Sequence, residues 1–325
     1  MTLAVVYKLL AIVVVVGLGW VAGRLRWLAR PQDADPARVL GNVAFYIFVP
    51  ALLFRTMARL DLGNMPWRSI AAFFVPVLAV LFLCYVSQRR AAAKHGAAAP
   101  AVRTIAAVFG NTVQVGIPFV TAILGEPGLA VLLPLISLHA LILLSVLTVL
   151  VELDLAHAHA RKAGAQPLSR TLAQTARNTL IHPVVLPVLA GLAWSLSGWA
   201  LHPAMDEALA TAAAGVVPTC LVLIGVTLAS YGLHGQLRAG VLISLVKLLL
   251  LPAVVLAAAH WGFGLSGVPL AAAVLMAAMP TGANAMIFSQ RYESLPAEVT
   301  AASVLSTVAF AVTAPLWLLV LARVG

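Results

Sequence analysis

Residues 110–119 of the sequence read GNTVQVGIPF and lie inside an otherwise apolar run. A related mixture recurs at 280–289, PTGANAMIFS. Asn111, Thr112, Gln114, Thr281 and Asn284 bring neutral hydrogen-bond donors and acceptors into these runs. Gly110, Gly116, Pro118, Pro280 and Gly282 loosen or interrupt the backbone beside them. Two ionisable groups sit deep in other apolar stretches: Lys247 in VLISLVKLLLLPAVVL (241–256) and His139 in LLPLISLHALILL (132–144). The chemistry this set suits is the holding of an anion. Half-helix N-termini carry partial positive charge and free N–H groups, so a broken helix holds a carboxylate without a formal counter-charge. A cation exchanger would need buried carboxylates, and no Asp or Glu falls at mid-span; Glu152 lies at an end. A sodium site of carbonyls and amides is the alternative.

Each residue also has a plainer reading. The glycines permit close helix packing, and the amides then bond across helices. Lys247 either draws an anion or pairs with backbone carbonyls freed at a break; its charge costs at least roughly 2.5–3.5 kcal/mol at membrane depth. His139 is either a neutral donor to a carbonyl or a proton carrier. Asn42 and Tyr46, four residues apart, face one side of a helix. That side is either a wall toward substrate or a helix–helix contact. His157 and His159 read as connector residues, and Cys84 and Cys220 as packing residues. No spacing calls for a metal, a cofactor or a disulfide.

The elements that position these residues are membrane helices. The chain has 325 residues, 62% hydrophobic and 9% charged, where a soluble domain carries roughly 25% charged residues. Apolar blocks of about 20 residues, the length that crosses the hydrocarbon layer, predict an all-α polytopic membrane protein. Ten spans are expected, near 3–23, 39–58, 67–87, 102–124, 129–152, 179–200, 208–231, 238–260, 268–290 and 299–322. A connector at 154–178 separates two five-helix halves, 1–153 and 179–325. With the N-terminus outside, fourteen Lys and Arg fall on the inner side and four, Arg55, Arg59, Arg68 and Arg323, on the outer. Both termini are therefore expected in the periplasm, with the protein in the inner membrane. The formal charge of +10 sits in connectors, which argues against a nucleic-acid partner. An enzyme would need a nucleophile–base pair or paired acids at depth, and neither is visible.

An odd number of spans per half makes two similar halves insert with opposite orientation. VPALL (49–53) matches VPTCL (217–221), Pro76 matches Pro252, and the break at Gly110 matches the break at Pro280; the offsets are 168, 176 and 170 positions. Two inverted repeats with broken, crossing spans 4 and 9 are expected.

GNTVQVGIPF, LGNVAFYIFVPALLFRTMA (40–58) and MPTGANAMIFSQRY (279–292) resemble, in order, the motifs of the auxin efflux carrier family, and the resemblance covers essentially the whole chain. It implies a fold similar to sodium/proton antiporters and bile-acid transporters. Spans 1, 2, 6 and 7 would form a scaffold domain. Spans 3–5 and 8–10 would form a core, with spans 4 and 9 crossing inside it. Asn111 matches the amide beside the first crossover, and Pro280 the crossover proline. Gly110 stands where plant members often carry proline. The long cytoplasmic loop of some plant members is absent, so its phosphorylation control does not carry over. The implied function is secondary transport of a small organic anion, such as malonate or an auxin-like acid, by a bacterial homodimer joined through its scaffold. A coupling proton or sodium ion is an open partner. A receptor or sensor that binds without transport is the rival reading, and would be favoured by a signalling domain.

Overall fold

The computed structural model describes residues 3–28, 36–59, 63, 65–89, 95–163, 183, 185–231 and 237–324. Among them the regular structure is helical apart from one isolated bridge. In chain order the helices are α1 (Leu3–Arg24), α2 (Pro36–Ala58), α3 (Trp67–Arg89), α4 (Ala99–Val108), α5 (Ile117–Ala163), α6 (Val185–Leu196), α7 (Pro203–Ser230), α8 (Leu237–Gly262), α9 (Gly267–Ala277), α10 (Asn284–Arg291) and α11 (Pro296–Val324). Six helices are long and apolar enough to cross a membrane, which makes this a multi-pass membrane protein. The shorter apolar helices are Val14–Arg24, Ala99–Val108, Val185–Leu196 and Gly267–Ala277.

Among the described residues six helices are full-length spans, where ten were expected over the whole chain. α4 and α9 are short because the chain leaves helical geometry at Phe109 and again after Ala277. The span expected at 179–200 lies partly outside the described residues, as do 164–178 of the connector. Residues 154–163 of that connector belong to α5 instead, because DLAHAHARKA is rich in helix formers. α5 is itself two helices meeting at Gly125 (φ 63°, ψ −157°), a conformation open to glycine.

Among the described residues four π-helical turns interrupt the α geometry, at Ala44–Phe48, Thr112–Gly116, Val246–Leu250 and Ala258–Gly262. In the first three a proline follows two residues later: Pro50, Pro118 and Pro252. Proline lacks an N–H and clashes with the carbonyl four residues back. A wider turn upstream relieves both problems, so Pro118 accompanies the π turn that follows the break at Gly110.

Helix packing relies on small residues, as expected where lipid supplies no hydrophobic drive between helices. α1 and α7 approach until their backbones touch. A Cβ on Gly19 would lie 2.4 Å from the Val222 carbonyl oxygen, and one on Gly225 would lie 2.1 Å from that of Val16. α6 meets α2 in the same manner, with Gly191 against the Phe54 carbonyl. α4 is buried along almost its whole length, and α9 is buried throughout from Ala272 to Ala277.

Candidate binding site at the helix crossing

The two interrupted segments run through each other. The N–H of Asn111 donates to the Pro280 carbonyl and the N–H of Gly282 donates to the Phe109 carbonyl, each at 2.8 Å. These bonds form a short antiparallel bridge between Gly110 and Thr281. They answer the problem of non-helical backbone at membrane depth, since each break satisfies the other. Thr281 extends the join. Its hydroxyl donates to the Ala106 carbonyl at 2.9 Å, and its N–H donates to Ser306 Oγ at 3.0 Å. Ala106 lies in the last turn of α4, whose carbonyls have no helical partner.

Four helix ends meet here, and the charges sort by polarity. α9 ends at Ala277, and the ammonium of Lys247 donates to that carbonyl at 2.6 Å. Lys247 is 1% exposed and stands in the π turn Val246–Leu250. A cation at a helix C-terminus complements the dipole. The two N-terminal ends, at Thr112 and Asn284, line a cavity of about 800 Å³ instead. Both segments point the positive ends of their dipoles at this wall, while the Ala285 and Met286 N–H groups already donate to the Gly282 and Ala283 carbonyls.

Asn111, Thr112, Asn284 and His139 all line that cavity, with Gly110 and Gly282. The Gly110 N–H donates to His139 Nε2 at 3.2 Å. Nε2 therefore carries no proton, and a neutral imidazole must hold its proton at Nδ1. Nδ1 is buried and has no partner among the described residues; neither does Asn284 Oδ1. The two ends of an amide exchange roles by a flip, so Asn284 offers either polarity. Phe109 packs on the imidazole with ring centroids 4.6 Å apart and holds its plane. Among the described residues no carboxylate lines the cavity, and Arg55 is its one formally charged side chain.

Thr281 faces the opposite side of the crossing. With Asn111 it lines a second, apolar cavity of about 350 Å³ beside Trp20, Leu221 and Val308. Gly116 packs near Met279 at the crossing, lining neither cavity. Pro280 supplies the carbonyl that Asn111 uses. The side chains of Gln114 and Pro118 lie outside the described part of the structure. Asn42 and Tyr46 line neither cavity. Tyr46 lies instead under the guanidinium of Arg291, 5.3 Å from ring centre to Cζ, beside Phe45 at 5.2 Å. The π turn Ala44–Phe48 accounts for this, because its extra residue re-phases the first half of α2 against the half that faces the cavity.

A family model described as a membrane transport protein matches residues 4–318. The chain belongs to the auxin efflux carrier family. It is thus a membrane transporter, a class without enzymatic chemistry. Comparison with curated proteins gives no match. In this family member the sequence reading missed several polar contacts. Arg55, counted there as a topology mark, lines the cavity and forks onto Asp206 at 2.8 and 3.1 Å. Arg103 forks onto Glu298, both bonds at 2.8 Å, with side chains 16% and 6% exposed. Partners 151 and 195 positions apart leave no local pattern to find. Three of the four π turns did leave one, the prolines two residues beyond them.

Proposed function

We propose that this protein is a secondary transporter of a small organic anion, a carboxylate such as malonate or an auxin-like acid, bound at the crossing. The observation that carries the reading is the cavity wall. Two helix N-termini, with Asn111, His139 and Asn284, line one space that among the described residues contains an arginine and no carboxylate. A carboxylate there accepts from dipole ends and neutral donors already fixed in place, with little reorganisation. Lys247 is the fixed cation of the crossing, spent on the Ala277 carbonyl and turned away from the cavity. His139 acts as the acceptor that holds Gly110. Protonation of Nε2 would break that bond, which makes a proton a candidate coupling ion.

Ten spans in two inverted repeats is the topology that best fits. In its support, α1 packs on α7 as α6 packs on α2, through glycine against backbone in both pairs. These four helices form the scaffold, through which a homodimer would join; the broken helices belong to the core. Alternating access follows from what lies on the two sides of the crossing. On one side the cavity separates the second half of α2 from the crossing. On the other, the first half of α2 closes on α10 through Arg38–Glu293 at 2.6 Å and Arg291 over Phe45 and Tyr46. By the charge bias the cavity faces the periplasm of a bacterial inner membrane. Transport then requires the core to slide until the second contact opens and the first closes.

The test is uptake into proteoliposomes of labelled malonate, other dicarboxylates and indole-3-acetate, each with an imposed pH or sodium gradient. Uptake of at least one, weakened about tenfold or more in KM by Asn284→Ala, is the expected outcome. Uptake of none removes the anion reading, and an unaltered Asn284→Ala removes the site.

A further inference from the structure

Arg55 is the only charged side chain on the cavity wall among the described residues, and it is not free. Its Nε and Nη2 hold the two carboxylate oxygens of Asp206 at 2.8 and 3.1 Å. Asp206 has a second cation, because Arg59 Nη1 stands 3.5 Å from Oδ2. Glu207, the next residue, is exposed and joins none of these pairs. Two guanidinium groups thus share one carboxylate, and one positive charge is left over at this end of the cavity. The Arg55–Asp206 pair is about three-quarters buried, with side-chain exposures of 29% and 26%, while Arg59, which brings the surplus charge, is 56% exposed and partly screened by solvent.

We propose that Arg55 is an anion-selecting residue of the transport site, held by Asp206 in the empty protein and handed to a carboxylate of the substrate. The proposal rests on the anion reading above and deepens it. As the substrate carboxylate takes the guanidinium fork, Arg59 keeps Asp206 neutralised, so no buried charge is stranded in the exchange. The crossing offers dipole ends and neutral donors at one part of the cavity wall, and Arg55 offers a full charge at another. An anion with two carboxylates uses both, and a monocarboxylate uses one. Arg55 therefore sets preference by charge, and Asp206 competes with the substrate for it.

The experiment measures KM for malonate and for propionate in proteoliposomes, with melting midpoints of the purified variants. Arg55→Gln is expected to raise the malonate KM about tenfold or more and the propionate KM by less than about threefold, the difference expected for one lost charge-assisted contact. Asp206→Asn retains Arg55 and removes its competitor, so its malonate KM falls. The exchange Arg55→Asp with Asp206→Arg rebuilds the ion pair; it restores the melting midpoint and leaves malonate uptake impaired. Malonate KM at the wild-type value in Arg55→Gln, a raised or unchanged KM in Asp206→Asn, or full recovery of uptake in the exchange variant overturns the proposal and leaves a structural latch. If Arg55→Gln fails to fold, Asp206→Asn and the exchange variant decide. Wild-type protein that takes up indole-3-acetate but neither malonate nor propionate overturns the role of Arg55 alone; uptake of none of these, nor of other dicarboxylates, overturns the anion reading and the role of Arg55 with it.

Discussion

The crossing makes a graded demand on three glycines, and alanine substitutions read it out. A Cβ on Gly282 would lie 2.7 Å from the Gly110 oxygen, 2.8 Å from Phe109 Cδ1 and 2.9 Å from the Gly110 carbonyl carbon. Two of these neighbours are backbone and cannot swing aside, so the strands of the bridge must part. Overpacking of this kind costs roughly 1–3 kcal/mol. Parting the strands also weakens the Gly282–Phe109 and Asn111–Pro280 bonds, each worth about 1 kcal/mol net. With both bonds lost the sum is roughly 3–5 kcal/mol. Gly110 is intermediate, its Cβ falling 3.3 Å from Met279 Cβ and 3.4 Å from Lys247 Nζ. At Gly116 the nearest atoms are 3.6 Å or more away, in ordinary contact. Alanine there removes a glycine from a helical turn and gains up to about 1 kcal/mol of propensity. The expected order of damage is Gly282→Ala, then Gly110→Ala, then Gly116→Ala, which stays near or above wild type. Thermal melting of detergent-purified protein gives the order, and proteoliposome uptake checks that Gly282→Ala moves the cavity wall at 283–284. Equal loss in Gly116→Ala and Gly282→Ala, or a wild-type Gly282→Ala, would refute the close crossing.

Three further outcomes follow from the same geometry. Lys247→Met leaves the Ala277 carbonyl without its donor and is expected to cost about 1–3 kcal/mol in stability, while anion affinity, read by binding calorimetry, changes less than about twofold. Arg103→Gln strands the carboxylate of Glu298, 6% exposed, and is expected to lose about 3–5 kcal/mol. Replacing both partners by Met recovers much of that loss in the same melting assay, and a double variant no better than the single one counts against the buried-charge account. Asn42→Ala and Tyr46→Ala leave the KM for transported anion within about twofold, because neither residue touches the cavity, and Tyr46→Ala forfeits about 0.5–1 kcal/mol of cation–π contact with Arg291. A large KM effect at Tyr46 would place substrate on the opposite side of α2.

How much of this was legible in the sequence depended on the range of the interaction concerned. The breaks at Gly110 and Pro280 were legible because lipid makes polar and helix-breaking residues conspicuous, and their matched offsets paired them before any contact was known. His139 was legible as a candidate but not in its role. An apolar helix around it gives no face, and its partner, the Gly110 N–H, exists only because the chain leaves helical geometry 29 positions earlier. Asn42 and Tyr46 are both exposed, as regular α spacing expects, but the π turn Ala44–Phe48 re-phases their side against the cavity-lining half of α2. Its signal was present in Pro50, as in Pro118 and Pro252, but proline in a membrane helix reads first as a kink.

Arg55 marks the deeper difficulty. The positive-inside count treats each arginine as a vote on orientation, and in that count Arg55 belongs to a minority of four outside. A minority charge is what a functional cation looks like when topology accounts for most of the others. The count identifies the exceptions, yet structure must say which of them turns inward. Arg55 lines the cavity and Arg59, one turn on, is 56% exposed and reaches only the shared carboxylate. Their common partner explains why both are present. One arginine suffices to neutralise Asp206, so the second is available for a charge that arrives and leaves.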